Sequence, residues 1–82
     1  MKFEKHSVIS LGNNKKYIIS ETLDYNNNKY LYLIELGDED KLLDNVICVK
    51  IVKDHQGNYG IAEITDNKEM LEVQEIFFGM FT

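Results

Sequence analysis

The residues best suited to nucleophilic chemistry are one cysteine and two histidines. A cysteine nucleophile needs a base beside it, and the two imidazoles, His6 and His55, are distant in sequence from Cys48. Cys48 instead lies within an aliphatic run at residues 46–52, where a buried and unreactive thiol is the usual outcome. One cysteine and two histidines also fall short of the roughly four closely spaced ligands that a zinc site requires.

Carboxylates form the other candidate group. Four of them cluster in one polar stretch: Asp38, Glu39, Asp40 and Asp44. A calcium loop of the EF-hand type beginning at Asp38 would need glycine at its sixth position and glutamate at its twelfth. Those positions are Leu43 and Val49, so the stretch is better explained as a solvated acidic patch. Spacing singles out no other pair among the 14 acidic residues. We therefore expect no catalytic residue, no cofactor and no metal site, and a protein that is not an enzyme.

Length and charge limit the function further. The chain has 82 residues, 44% of them hydrophobic and 28% charged, which predicts one globular domain, residues 1–82, with a small core. The formal net charge is −5 and every basic residue is lysine, so direct binding to nucleic acid or to an anionic membrane is not expected.

Compartment and origin follow from other features of the composition. A single cysteine excludes a disulfide framework, and no apolar run suits a secretory signal or a membrane helix, so we expect a cytoplasmic protein. The preference for lysine, asparagine and isoleucine is typical of AT-rich bacterial or phage genes.

Apolar and polar residues alternate with a period of two along most of the chain, which predicts β-strands. The five predicted strands cover residues 5–11, 16–25, 30–36, 45–53 and 59–64. Turns rich in asparagine and glycine separate them at residues 12–14, 26–28 and 54–58, and residues 37–44 are expected to form a surface loop or a short helical turn. Tyr17, Ile19, Leu23 and Tyr25 should share one face of the second strand. The third strand is apolar on both faces, which predicts a central position in the sheet.

The apolar spacing becomes helical over residues 68–81, where Met70, Val73, Phe77 and Met80 follow one another at intervals of three or four residues. Asp66, followed three residues later by Glu69, suits the N-terminal cap of this helix. The predicted fold is therefore α+β: a small antiparallel β-meander of about five strands, able to curl, with one C-terminal helix.

The predicted helix is apolar around too much of its circumference for one sheet to cover. Its apolar side chains span an arc of about 220°, whereas packing on one sheet uses about 100°. We assign the surplus to Phe77, Phe78, Met80 and Phe81. These side chains are expected either to plug the open end of a small barrel or to contact a protein partner, which includes a second copy of the chain.

The order of these segments resembles that of the YrzB-like family of short acidic bacterial proteins. The matching segments are Val8-Ile9-Ser10-Leu11, Tyr17-Ile18-Ile19, Asn28-Lys29-Tyr30-Leu31-Tyr32-Leu33, Val46-Ile47-Cys48-Val49-Lys50-Ile51, Gly57 and Ile64-Thr65-Asp66. The resemblance spans nearly the whole chain and implies the same succession of strands, an acidic loop and a terminal helix. The chain is less acidic and richer in asparagine than that family. The family is a domain of unknown function, so the resemblance implies no reaction and no catalytic residue.

The expected function is a non-catalytic protein-interaction module that works through its C-terminal helix, with homodimerisation as one form. One alternative is an acidic phage-type inhibitor, or nucleic-acid mimic, that binds a basic host protein surface through its acidic patch. A third class is a small-molecule-binding protein with a cavity inside the curled sheet.

Overall fold

The computed structural model describes residues 3–12 and 14–81, which form five antiparallel strands followed by an α-helix. The elements are β1 (Val8–Leu11), β2 (Lys15–Tyr25), β3 (Asn28–Leu36), a 3₁₀ turn (Asp38–Asp40), β4 (Leu42–Lys53), β5 (Tyr59–Glu63) and α1 (Asn67–Met80). Each strand pairs with the next along the chain, in the order β1-β2-β3-β4-β5. The α+β meander predicted from the sequence is confirmed, with β3 at its centre.

The β2–β3 turn shows how asparagine replaces glycine in this chain. Asn26 and Asn27 have φ of 51° and 64°, and Tyr25 pairs with Asn28 on either side of them. Positive φ at both central residues of a two-residue loop is the signature of a type I′ turn. Asn28 therefore opens β3 instead of belonging to the loop. In the predicted first turn, Asn14 has φ of 63°, while Asn13 lies outside the described residues.

A β-bulge in β2 overturns the predicted grouping of its side chains. Ile19 pairs with Leu33, whereas Glu21 pairs with Tyr32, so Ser20 is an extra residue opposite a single step of β3. One extra residue moves every later side chain to the other face of the sheet. Tyr17 and Ile19 consequently pack in one hydrophobic cluster, and Leu23 and Tyr25 pack in the cluster on the opposite face.

Two strand boundaries also differ from the prediction. β1 begins at Val8 and not at residue 5, because His6 adopts a φ of 74° that interrupts the extended backbone. The His6 N–H donates to the carbonyl oxygen of Ile19, and the Ile19 N–H donates to the carbonyl oxygen of Ser7. His6 and Ser7 thus lie together opposite the single residue Ile19. β4 begins at Leu42, three residues earlier than predicted, because Leu42 pairs with Leu36 across the acidic turn.

The sheet curls around one of its faces, here called the inner face, to form a half-barrel. The buried side chains on this face are Phe3, Tyr17, Ile19, Leu31, Leu33 and Val49. Ile9 from β1 and Ile61 from β5 both pack against this cluster, so the two edge strands approach one another. A groove of about 600 Å³ lies between them.

The helix α1 lies on the opposite, outer face of the sheet, and not at the end of the half-barrel. Val73 and Phe77 have no exposed surface, and they pack in a cluster with Tyr30, Cys48 and Ile64. The predicted cap is confirmed, since the Asp66 carboxylate accepts the Glu69 N–H at 2.9 Å. Within residues 3–12 and 14–81, no helix has the length and apolar character needed to cross a bilayer.

Candidate protein interface

Polar contacts fix the N-terminal half of α1 against the outer face. The Tyr30 hydroxyl donates to Glu69 at 2.5 Å, and the ammonium group of Lys50 lies 3.4 Å from the same carboxylate. The Tyr25 hydroxyl donates to Glu72 at 2.9 Å. Burial, together with the hydrogen bond to Glu69, raises the pKa of Tyr30 to about 12. The hydrogen bond to Glu72 raises the pKa of Tyr25. These contacts orient the helix so that its C-terminal half runs past Tyr32.

The structure separates the four residues that the sequence assigned to partner binding. Phe77 is fully buried, because it lies one turn after Val73 on the face that packs on the sheet. It therefore belongs to the core and offers no surface to a partner. Phe78 and Phe81 are 56% and 49% exposed. Met80 is 44% exposed but follows Phe78 by two residues, which places it about 200° around the helix axis, on the other flank.

Tyr32 connects the exposed end of α1 with the sheet. Its ring centroid lies 5.4 Å from that of Phe77 and 4.9 Å from that of Phe81, and both ring pairs are tilted. Such tilted pairs are a favourable aromatic geometry. The exposed Phe81 is thus held at a defined place over β3.

A row of aliphatic side chains continues from this aromatic end across the outer face. Val8 pairs with Ile18, Ile18 with Ile34, and Ile34 with Val46, so the row crosses four strands in direct register. Val8 and Val46 are 52% and 41% exposed, while Ile18 and Ile34 are half-buried. No other element of the described chain covers these four side chains in the way α1 covers Tyr30.

A groove of about 460 Å³ joins the row to the helix. Its walls include Tyr32, Val46, Cys48, Gln74 and Phe78. The helix end, the groove and the row thus form one continuous apolar area, which we call the aromatic–aliphatic surface. It consists of Val8, Ile18, Ile34 and Val46 on the sheet, with Tyr32, Phe78 and Phe81 beside them.

Sequence reasoning identified the helical part of this surface but missed the row on the sheet. Each member of the row is an ordinary β-branched residue in a strand with apolar side chains on both faces. Only the register brings the four together, and the bulge at Ser20 decides which outer-face residues α1 covers. The one available signal was that β2, β3 and β4 carry more apolar residues than a single helix can bury.

The acidic patch lies in two elements. Asp38, Glu39 and Asp40 form the 3₁₀ turn, whereas Asp44 belongs to β4, and all four side chains are exposed. Glu39 and Asp40 have φ of 57° and 58°. The Asp40 carboxylate lies 3.2 Å from the Lys16 ammonium group, which ties the turn to β2.

Cys48 sits in the wall of the groove next to Tyr32, its partner in β3. The thiol is free and buried, and burial raises its pKa, which lowers the population of the reactive thiolate. His6 and His55 are both exposed. The described part of the chain contains no group of three or more His, Cys, Asp or Glu residues placed to hold a metal ion.

Comparisons with known proteins bear on family alone. No curated protein and no solved structure matches the chain. One family model matches residues 11–82, which is everything from the last residue of β1 to the C-terminus. This stretch contains β2 to β5, the acidic turn and α1. The chain therefore belongs to the family described as a protein of unknown function, DUF1292.

Proposed function

We propose that the protein is a non-catalytic interaction module that binds another protein through its aromatic–aliphatic surface. The observation that supports this is the half-exposed state of Phe78, which lines one groove with Val46 at the end of the in-register row, and of Phe81, which packs on Tyr32 beside that groove. Folded proteins leave single apolar side chains exposed, but contiguous apolar areas mark places where another molecule docks. The proposal includes self-association as its homotypic form.

The polar contacts of α1 support the same proposal. Glu69 and Glu72 hold the N-terminal half of the helix to Tyr30 and Tyr25, so the helix does not depend on Phe78 or Phe81 for its position. The exposed parts of these two side chains can therefore contact a partner while the helix keeps its position on the sheet. An interface core formed of aromatic and aliphatic residues is typical of protein–protein contacts.

Val46 and Val52 provide a matched pair of variants for the test. Both lie on the outer face of β4 and both are 41% exposed, but Val46 adjoins the helix end and Val52 lies beyond Lys50. We expect Val46→Asp and Phe78→Asp to abolish capture of the partner, and Val52→Asp to leave it intact. The measurement is affinity capture from native cells with quantitative mass spectrometry of all four proteins. If Val46→Asp and Phe78→Asp retained the proteins captured by the wild type, the proposal would be refuted.

Size-exclusion chromatography with light scattering tests the homotypic form. A dimer that Val46→Asp or Phe78→Asp dissociates, and Val52→Asp does not, would support self-association through this surface. A monomer at every concentration would reject the homotypic form and leave a different protein as the partner.

The acidic patch supports a second candidate, an inhibitor or nucleic-acid mimic that binds a basic protein surface. Asp38, Glu39, Asp40 and Asp44 are all exposed, and among the described residues only Asp40 has an ion-pair partner. Such a complex would weaken steeply with added salt. Neutralising Asp38, Glu39 and Asp44 to their amides would disrupt it, whereas Val46→Asp would not.

Two narrower assignments belong to the same proposal. We place the chain with YrzB-like proteins inside its family, on the succession of strands, acidic turn and helix. We also expect it in the cytoplasm, where the unpaired Cys48 would stay reduced.

A further inference from the structure

We infer that the partner of the aromatic–aliphatic surface is a cationic amphipathic protein segment, in which apolar side chains are flanked by lysine or arginine. This inference rests on the proposed function and names the chemistry of the partner. It is carried by the charges that border the surface and by the aromatic faces within it.

Three acidic residues lie close to the surface where α1 meets β4. Glu63 lines the same groove as Val46 and Phe78. Asp44 lies two residues before Val46 on β4 and is exposed, and Glu75 precedes Phe78 by three residues on α1. In the part of the chain that the structure describes, none of these three carboxylates has a hydrogen bond or an ion pair.

The end of the helix adds to this negative potential. The last turn of α1 contains no basic residue, so no side chain of that turn offsets the partial negative charge at the helix C-terminus. Lys50 and Lys16, the lysines on the outer face near either end of the surface, are engaged with Glu69 and Asp40. The aromatic faces of Phe78, Phe81 and Tyr32 also attract the cationic groups of lysine and arginine. Apolar contact and positive charge would therefore be recognised together.

The same charges argue against a second copy as the occupant. A two-fold dimer pairs the surface with itself, so Glu63, Glu75 and Asp44 of both copies would be gathered around one interface. Each copy also brings a formal net charge of −5. Like charges placed across an interface oppose association, whereas a cationic partner removes that cost.

Two synthetic peptides of about 18 residues serve as probes, each long enough to form about five turns of an amphipathic helix. Both carry the same leucine face, and the polar face consists of lysine in one and of glutamate in the other. Binding to the full chain is measured by fluorescence anisotropy at about 50 mM and about 500 mM NaCl, since exposed charges are screened across this range. We expect the lysine peptide to bind at least about tenfold more tightly than the glutamate peptide, with an advantage that falls as salt rises.

Variants locate the binding on the protein. The double variant Glu63→Lys, Glu75→Lys should lower the affinity for the lysine peptide by about tenfold and raise the affinity for the glutamate peptide. Glu4→Lys with Asp24→Lys makes the same change in net charge at two exposed residues away from the groove, and it should have little effect. Val46→Asp should also lower the affinity for the lysine peptide, although it adds a negative charge, because the apolar contact is lost. Val52→Asp, with equal exposure, should not.

Each result separates this inference from the proposed function. If both peptides bound with equal affinity and Val46→Asp lowered both affinities equally, the surface would be a docking site without charge preference. The inference of a cationic partner would then be rejected, and the proposed function would stand. A dimer dissociated by Val46→Asp would make a second copy the occupant and would likewise overturn the inference. If neither peptide bound, or if the Glu4→Lys, Asp24→Lys control weakened binding as much as the Glu63→Lys, Glu75→Lys protein did, the inference would also be rejected.

Discussion

Phe77 and Phe78 are neighbouring phenylalanines in opposite environments, so truncating each to alanine tests the orientation of α1. Phe77 has no exposed surface and its ring lies 5.4 Å from that of Tyr32, whereas Phe78 is 56% exposed. If α1 packs as described, the two substitutions should differ sharply in their effect on stability although the chemical change is identical.

The expected magnitudes follow from the buried areas. A fully enclosed phenylalanine buries at least about 150 Å², which corresponds to about 4 kcal/mol at about 25 cal/mol per Å². Measured losses for core Phe→Ala substitutions are about 3–5 kcal/mol. A little under half of Phe78 is covered, so its transfer free energy is about 1.5 kcal/mol, and the higher helix propensity of alanine returns about 0.5 kcal/mol. We therefore expect a loss of about 4 kcal/mol for Phe77→Ala and about 1 kcal/mol for Phe78→Ala.

Urea unfolding at neutral pH, followed by far-ultraviolet circular dichroism, measures both losses. A chain of this length has a total stability of about 4–12 kcal/mol, so Phe77→Ala alone could unfold it. Phe77→Leu is the milder companion variant and should still lose more stability than Phe78→Leu. Equal losses for the two positions, or a larger loss at Phe78, would show that α1 presents a different face to the sheet and would refute the description of the surface.

Three further predictions concern other contacts. Asp66→Ala should cost about 1 kcal/mol of stability, measured by urea unfolding, because the Glu69 N–H loses its acceptor, and Asp66→Asn should restore most of it. The pKa of Tyr30 is raised above its ordinary value of 10.0, so its contribution to the free energy of unfolding is present below pH 10 and is lost as pH rises toward about 12. The midpoint temperature of thermal unfolding should therefore fall more steeply across this pH range for the wild type than for Tyr30→Phe. Equal slopes for the two proteins would contradict the shift. At about 1.36 kcal/mol per pH unit the effect is at most about 2.7 kcal/mol, and solvent near the hydroxyl reduces it. Deleting Ser20 should remove the bulge while Glu21 still pairs with Tyr32 and Leu23 stays on the outer face, so a nuclear magnetic resonance spectrum should keep native dispersion, and a loss of dispersion would show that the pairing does not survive without the extra residue.

The sheet and the helix were predictable because their signals are local. Asparagine tolerates positive φ, so Asn26 and Asn27 mark a tight turn in the sequence itself, and the apolar spacing of α1 together with Asp66 marks the helix and its start. The order of strands followed from turns too short for any connection except between neighbours. Even the surplus of apolar residues on α1 could be counted from the sequence.

Which of those apolar residues stay exposed was decided by tertiary structure alone. Phe77 and Phe78 have the same side chain, and only the position of α1 on the outer face places one in the core and the other in solvent. The bulge at Ser20 leaves no mark in the period-two pattern, yet it exchanges the faces of every following residue of β2. The row from Val8 to Val46 exists only because four strands align in register, and register is a property of pairing between segments that are distant in sequence.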